Sequence, residues 1–155
     1  MELKIETRAA RTFAGIRKVG PLDKTVYEGF NELMAWVERH NVTCGEWIAV
    51  YYDNPHDVPP EKMRVDTVLT VADDFVLPPG SEGLRIDTLE GGLYAVARAH
   101  ITDGDFGKPW VAFFNELLPG SGYVPSGGSY YEEYLNDGSE SGIWDFDMCV
   151  PVKKI

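Results

Sequence analysis

Hydrophobic and polar residues alternate along several short stretches of the chain, and a period of two is typical of a strand with one buried face. In residues 2–9, for example, Leu3, Ile5 and Thr7 alternate with charged residues. Together with runs of β-branched and aromatic residues, this pattern predicts eight strands. They lie at about residues 2–9, 12–19, 47–53, 64–71, 84–90, 93–101, 129–136 and 143–152.

Two other segments repeat apolar residues at the spacing of a helix. The first begins near Thr25, where Thr25-x-x-Glu28 forms a capping box, and it continues to about residue 40. The second covers about residues 107–118, with Pro109 in its first turn. The predicted order of elements is therefore β-β-α-β-β, used twice.

An internal repeat supports this order, because Phe30-Asn31-Glu32-Leu33 recurs letter for letter as Phe114-Asn115-Glu116-Leu117. We therefore expect a single domain, residues 1–155, made of two repeats of about 1–78 and 82–155. Its class is α+β, with about eight antiparallel strands in a sheet and two helices related by pseudo-two-fold symmetry. A cleft on the two-fold axis is the natural place for a ligand.

The net charge of the chain indicates which kinds of partner it can bind. The chain has 25 acidic and 14 basic residues, a net charge of -11, which opposes contact with phosphate backbones. We therefore expect no direct binding of nucleic acid, and a basic partner or a cationic ligand fits better. The alternative is that the acidity only keeps the protein soluble.

The cysteines and the N-terminus indicate a cytoplasmic protein. Cys44 and Cys149 are the two cysteines, too few for a disulfide scaffold and without metal-ligand spacing. The N-terminal residues are charged, and the sequence has no apolar run long enough to span a bilayer. We expect no membrane association.

Alternation within the last strand of each repeat identifies two carboxylates as candidate site residues. Alternation places Asp66 on the face of its strand opposite to Leu69, and it places Asp147 on the face opposite to Val150. Carboxylates are unfavourable inside strands unless they meet solvent, a partner or a ligand. Contact with a ligand and a solvated face are the two interpretations that stay open.

The third strand of each repeat adds aromatic residues and an acid at matched places. Aromatic faces beside a carboxylate suit a planar or cationic guest, although each aromatic residue could equally belong to the core. We expect one cavity lined by Trp47, Tyr51, Asp66, Glu132, Tyr134 and Asp147. The histidines are scattered, and no nucleophile elbow, phosphate loop or dinucleotide fingerprint is present, so we predict no catalytic residue, metal or cofactor.

Several motifs spread over nearly the whole chain resemble those of the DNA gyrase inhibitor family, part of a wider GyrI-like small-molecule-binding group. They are Arg11-Thr12-Phe13-Ala14-Gly15, Glu46-Trp47-Ile48-Ala49-Val50-Tyr51-Tyr52-Asp53-Asn54-Pro55, Asp66-Thr67-Val68-Leu69-Thr70-Val71, Gly91-Gly92-Leu93-Tyr94-Ala95-Val96, Lys108-Pro109-Trp110 and Tyr134-Leu135-Asn136. The resemblance implies a protein that binds gyrase, keeps it from DNA and protects the cell from gyrase-directed toxins, and we expect it to be a monomer. A GyrI-like hydrolase of cyclopropane-containing toxins and a stand-alone drug-binding effector domain are the alternatives it implies.

The resemblance also implies roles for particular residues. In the wider group a carboxylate in the last strand contacts the ligand, and the matching position is Asp147, where many members have glutamate. The turn Gly91-Gly92-Leu93-Tyr94 is implied as a contact for gyrase, the alternative being a tight hairpin that needs glycine dihedrals. If the turn is such a contact, replacing Leu93 and Tyr94 with serine abolishes inhibition and leaves the melting temperature nearly unchanged.

Overall fold

The structure, a computed structural model, describes residues 1–155 except residue 44, so Cys44 and the inferences drawn on it lie outside the described residues. The strands are β1 (Leu3–Arg8), β2 (Arg11–Val19), β3 (Trp47–Tyr51), β4 (Arg64–Thr70), β5 (Leu84–Leu89), β6 (Gly92–Ile101), β7 (Tyr123–Pro125), β8 (Tyr130–Tyr134) and β9 (Trp144–Lys154). The helices are α1 (Leu22–His40) and α2 (Gly107–Ala112), with a π-helical turn at Phe113–Leu117 and a 3-10 turn at Pro60–Lys62.

The described residues form two compact units. We call Met1–Arg8 with Gly92–Ile155 the C-terminal unit, and Ala9–Gly91 the central unit. In the C-terminal unit the strand order is β1-β6-β9-β8, with β7 also paired to β9, and in the central unit it is β3-β4-β2-β5. These pairings are antiparallel. The predicted α+β class, with an antiparallel sheet and two helices, is confirmed, and β7 is a strand that the pattern did not predict.

The first strand of each repeat pairs with the second strand of the other repeat. β1 pairs with β6, so that Arg8 lies opposite Gly92, and β5 pairs with β2, so that Leu89 lies opposite Arg11. The predicted tight hairpin at Gly91 and Gly92 is therefore wrong. A short connection can reverse the chain or carry it onward, and alternation alone does not distinguish the two outcomes.

Helix α1 begins earlier than the capping box predicted. Its first residue is Leu22, after Pro21, and the backbone N–H of Thr25 already donates to the Pro21 carbonyl at 2.9 Å. Thr25 therefore lies inside the first turn and is buried, and its hydroxyl has no hydrogen-bond partner among the described residues. The helix ends at His40, and the next residue, Asn41, adopts the left-handed conformation common just after helix C-termini. Among the described residues, no helix has the length and hydropathy needed to cross a membrane.

Each unit packs its helix on one face of its strands. In the central unit α1 contributes Leu33 and Trp36 to a core that contains Leu69 of β4. In the C-terminal unit Phe113 packs with a core that contains Met148 and Val150 of β9. Because neighbouring residues in a strand point to opposite faces, Asp66 and Asp147 point away from these helix-packed cores, as their parity predicts.

Candidate functional site

Glu132 is a buried carboxylate on the helix-packed face of the C-terminal unit. Its register partner is Met148, a core residue, and side chains of paired residues share a face. The residue is 2% exposed. The Trp110 indole N–H donates to Oε2 at 2.7 Å, and the Tyr134 hydroxyl donates to Oε1 at 2.7 Å. Each carboxylate oxygen thus accepts a hydrogen bond, as a buried carboxylate requires.

Further aromatic rings pack against Trp110, one of the two donors to this carboxylate. The Trp110 ring lies 5.3 Å from the Tyr130 ring and stacks on Phe114 at 5.9 Å, with 20° between the ring planes. We call Glu132, Trp110, Phe114, Tyr130 and Tyr134 the Glu132 cluster. Phe114 is 40% exposed, so the aromatic wall extends from the buried carboxylate to the protein surface.

The backbone that carries Phe114 is irregular. After the short helix α2 the chain widens into the π-helical turn, in which the N–H of Leu118 donates to the Phe113 carbonyl at 2.9 Å. Such turns occur frequently at functional sites, because they re-aim the side chains of a helix. Here the turn begins three residues after Trp110, and the Phe114 ring stacks on the Trp110 ring.

The chemistry of the Glu132 cluster suits a flat or cationic guest. Aromatic faces attract cations through the ring quadrupole, and a carboxylate beside them adds a full negative charge. Apolar walls with a few placed polar groups are typical of small-molecule sites. Among the described residues, no group of three or more His, Cys, Asp or Glu side chains is positioned to hold a metal ion.

Asp147 lies on the opposite face of the strands from Glu132. The register pairs Asp147 with Glu133, the neighbour of Glu132 in β8. Arg98 holds Asp147 through Nε at 2.9 Å and Nη2 at 3.3 Å, and Arg8 Nη2 is 3.8 Å away. The prediction that Asp147 lines one cavity with Glu132 and Tyr134 is therefore wrong. The register between β8 and β9 pairs Glu132 with Met148 and leaves Asp147 on the other face.

Asp66 is the matching aspartate of the central unit, and it is fully buried. Arg17 donates to it from Nε at 2.9 Å and from Nη2 at 3.2 Å, while Arg85 and the Tyr52 hydroxyl contact the same carboxylate. Burial raises the pKa of Asp66, but the hydrogen bonds from Arg85, Arg17 and Tyr52 outweigh burial, so its pKa falls below the ordinary value. Asp66 is thus a structural ion-pair centre.

Trp47 and Tyr51 do not share a face with Asp66. They pair with Leu69 and Val65, and Trp47 packs against the core formed with α1. Asp66 pairs instead with Val50, on the other face. The prediction that Trp47 and Tyr51 line a cavity with Asp66 is wrong within the central unit, and the core interpretation applies to Trp47.

Each of the two aspartates has an arginine partner that the sequence could have revealed. Arg17 is the register partner of Asp66, and Arg98 is the register partner of Asp147. Both arginines lie in the second strand of their repeats, so the repeat itself contained the signal for two equivalent ion pairs. Sequence reasoning also missed Trp110 and Phe114 as site residues, because both fit the apolar stripe of a helix.

The segment implied as a gyrase contact is only partly accessible. Gly91 and Gly92 are exposed and Leu93 is half-buried. Tyr94 is 3% exposed, and its ring lies 5.5 Å from that of Tyr131. The expectation that serine at positions 93 and 94 leaves the melting temperature unchanged is therefore corrected, since removing a buried aromatic side chain opens a cavity.

The sequence matches the family model described as GyrI-like small molecule binding domain over residues 1–153. It is 48% identical over 154 residues to a protein of Erwinia billingiae named DNA gyrase inhibitor, and the match covers 99% of each chain.

Two solved structures share the fold. The EcmrR C-terminal domain has a TM-score of 0.75 and 12% identity, and the match covers 99% of this chain and 98% of that chain. SAV2435 bound to tetraphenylphosphonium has a TM-score of 0.61 and 12% identity, covering 99% of this chain and 94% of that chain. These likenesses concern the fold alone.

Proposed function

Because the chain belongs to the GyrI-like small-molecule-binding family, we propose that it inhibits DNA gyrase by binding the enzyme and limiting its access to DNA. In the cell this inhibition protects against toxins that act on gyrase. The observation that carries the proposal is the 48% identity, over 99% of both chains, to a protein named DNA gyrase inhibitor.

The charge of the protein supports inhibition by sequestration. A net charge of -11 disfavours contact with DNA phosphates and favours contact with the basic surface of a DNA-binding enzyme. Contacts between exposed charges weaken as salt rises. Because its charge favours the basic surface of the enzyme over DNA, the inhibitor competes with DNA for the enzyme and does not bind the DNA.

A supercoiling assay with purified gyrase tests this function. Protein in stoichiometric amounts should reduce supercoiling, the inhibition should weaken with added salt, and gel shifts should show no complex with DNA. If a large excess leaves supercoiling unchanged, or if the protein binds DNA tightly, the proposed function fails.

The Glu132 cluster is the proposed small-molecule site, and its guest is a planar or bulky aromatic cation. The support is the buried carboxylate of Glu132, 2.7 Å from both the Trp110 indole nitrogen and the Tyr134 hydroxyl, within aromatic walls that reach the surface at Phe114. SAV2435, which shares the fold, was solved with tetraphenylphosphonium, an aromatic cation, and this compound is therefore the probe that we choose.

Titration calorimetry with tetraphenylphosphonium tests the site through Glu132→Gln. The amide keeps the shape, and its oxygen still accepts from Trp110, while the Tyr134 hydroxyl can accept from the amide nitrogen. Losing a charge-assisted contact worth about 1.5–3 kcal/mol should weaken binding by about 10- to 150-fold.

The matched control is Glu133→Gln, one residue further along β8 and on the opposite face, where Glu133 accepts from Arg8 at 3.3 Å. This variant should bind the probe within about twofold of the wild type, as expected for a side chain outside the site. Equal affinity in both variants, with unchanged melting temperatures, contradicts the assignment of the site to Glu132.

A further inference from the structure

Helix α1 presents a narrow stripe of exposed side chains on the side away from its core. Asp23, Tyr27, Met34 and Glu38 fall on this stripe, because their spacing keeps them on one side of a helix. Tyr27 is 71% exposed and Met34 is 42% exposed, and the two acidic residues at the ends are also exposed. We call these four residues the α1 stripe.

The core of the central unit does not require these apolar residues. The buried residues of α1 are Thr25, Gly29, Leu33, Trp36 and Val37, which lie on the other side of the helix. Tyrosine and methionine are enriched at the centres of protein interfaces, where tyrosine is a frequent hot spot. An exposed Tyr27 about two turns from an exposed Met34 therefore indicates a contact surface.

The charges of the α1 stripe select the partner. Asp23 and Glu38 stand at its two ends, about 22 Å apart at 1.5 Å per residue, and the basic residues Lys24 and Arg39 lie to the side. An enzyme that binds DNA carries lysine and arginine where the phosphates lie. Carboxylates at both ends of an apolar centre complement such a surface and exclude DNA from it.

We propose that the α1 stripe is the surface through which this protein docks on the basic, DNA-contacting surface of gyrase. The inference rests on the proposed function and adds the contact surface to it. Tyr27 and Met34 supply the apolar centre of the contact, and Asp23 and Glu38 supply its charge complementarity.

The internal repeat provides a matched control. The identical tetrapeptides begin at Phe30 and Phe114, so Val111 occupies in the second repeat the position that Tyr27 occupies in the first. Val111 is 60% exposed, and it lies outside both the α1 stripe and the Glu132 cluster. Glutamine replaces Tyr27, Met34 and Val111, because its helix propensity is close to that of methionine.

The test measures the half-inhibitory concentration of each variant in the supercoiling assay. The double variant Tyr27→Gln with Met34→Gln should raise it by about tenfold or more, as loss of interface hot spots does. The double variant Asp23→Asn with Glu38→Gln should raise it about two- to fivefold and flatten its salt dependence. Val111→Gln should stay within about twofold of the wild type, and the variants should keep their melting temperatures and their affinity for tetraphenylphosphonium.

The outcomes distinguish failure of the docking inference from failure of the proposed function. If the wild type inhibits gyrase and the Tyr27/Met34 variant inhibits equally well, the docking inference is overturned and the proposed function stands. If the wild type does not inhibit, the proposed function fails and the inference fails with it. If light scattering shows a dimer that the Tyr27/Met34 variant dissociates, the stripe joins two copies of this chain and the inference is overturned. If that variant does not fold, the double variant Asp23→Asn with Glu38→Gln tests the inference. An unchanged half-inhibitory concentration with an unchanged salt dependence then overturns it.

Discussion

Replacing Asp66 with asparagine removes a buried charge while keeping the side-chain shape. The carboxylate is fully buried, accepts two hydrogen bonds from Arg17 at 2.9 and 3.2 Å, and also contacts Arg85 and Tyr52. An asparagine amide would place an NH2 group against one of these donors. The two arginines would then lack the charge that balances them, so we expect the variant to be less stable.

The exposure of the partners determines the magnitude. Breaking a fully buried ion pair costs about 3–5 kcal/mol. The side chains of Arg17 and Arg85 are 37% and 34% exposed, so water can solvate them again in part, and we expect about 2–3 kcal/mol. For a chain of this size that loss lowers Tm by about 4–12 °C.

The measurement is urea unfolding supported by calorimetry, with Asp147→Asn as the control. The Arg98 side chain, which makes the two hydrogen bonds, is 66% exposed, and the less exposed Arg8 approaches Asp147 only to 3.8 Å. Loss of this pair should therefore cost about 1 kcal/mol or less. If Asp147→Asn lowers the free energy of unfolding as much as Asp66→Asn, the exposure of the arginines does not determine the loss of stability, and the reasoning is refuted.

Three further predictions concern acid stability, packing and thiol reactivity. Because folding lowers the pKa of Asp66, its ion pairs stabilise the protein fully above about pH 4 and lose that effect as pH falls through the folded pKa. The unfolding free energies of the wild type and Asp66→Asn, measured with urea, should therefore converge in acid. Gly29→Ala should destabilise by about 1–3 kcal/mol, since the added methyl would lie 2.7 Å from Thr67, and a raised Tm would contradict this. Cys149 should resist alkylation at about pH 8 until the protein is denatured, because burial raises the pKa of its thiol to about 12, and peptide mass spectrometry would detect early labelling.

The elements themselves followed from local pattern. The predicted strand at about 64–71 is β4 (Arg64–Thr70), and the first predicted helix ends where α1 ends, at His40. Alternation and helical spacing are properties of consecutive residues, so they survive whatever the chain packs against. β7 has three residues, too few to show alternation, and it forms because β9 offers it an edge.

The site was only partly predictable for the same reason. Glu132 and Tyr134 were predicted from the combination of an acid with aromatic residues in one strand, and in the structure the Tyr134 hydroxyl donates to Glu132. Trp110 was not found, because an apolar residue on a helix looks the same whether it fills a core or lines a site. Its indole N–H meets Glu132 only after α2 packs on β8 and β9.

Local sequence pattern was sufficient to predict the strands other than β7, the two helices and the equivalence of Asp66 with Asp147. It also showed which residues of one strand share a face. Which strands pair was visible only in the fold, and this pairing sets Glu132 on the face that packs on the helix and Asp147 on the face of Arg98. Alternation defines the two faces of a strand but does not indicate which of them meets a helix. That choice depends on hydrogen-bond register with a strand distant in sequence, and a shift of one residue exchanges the faces.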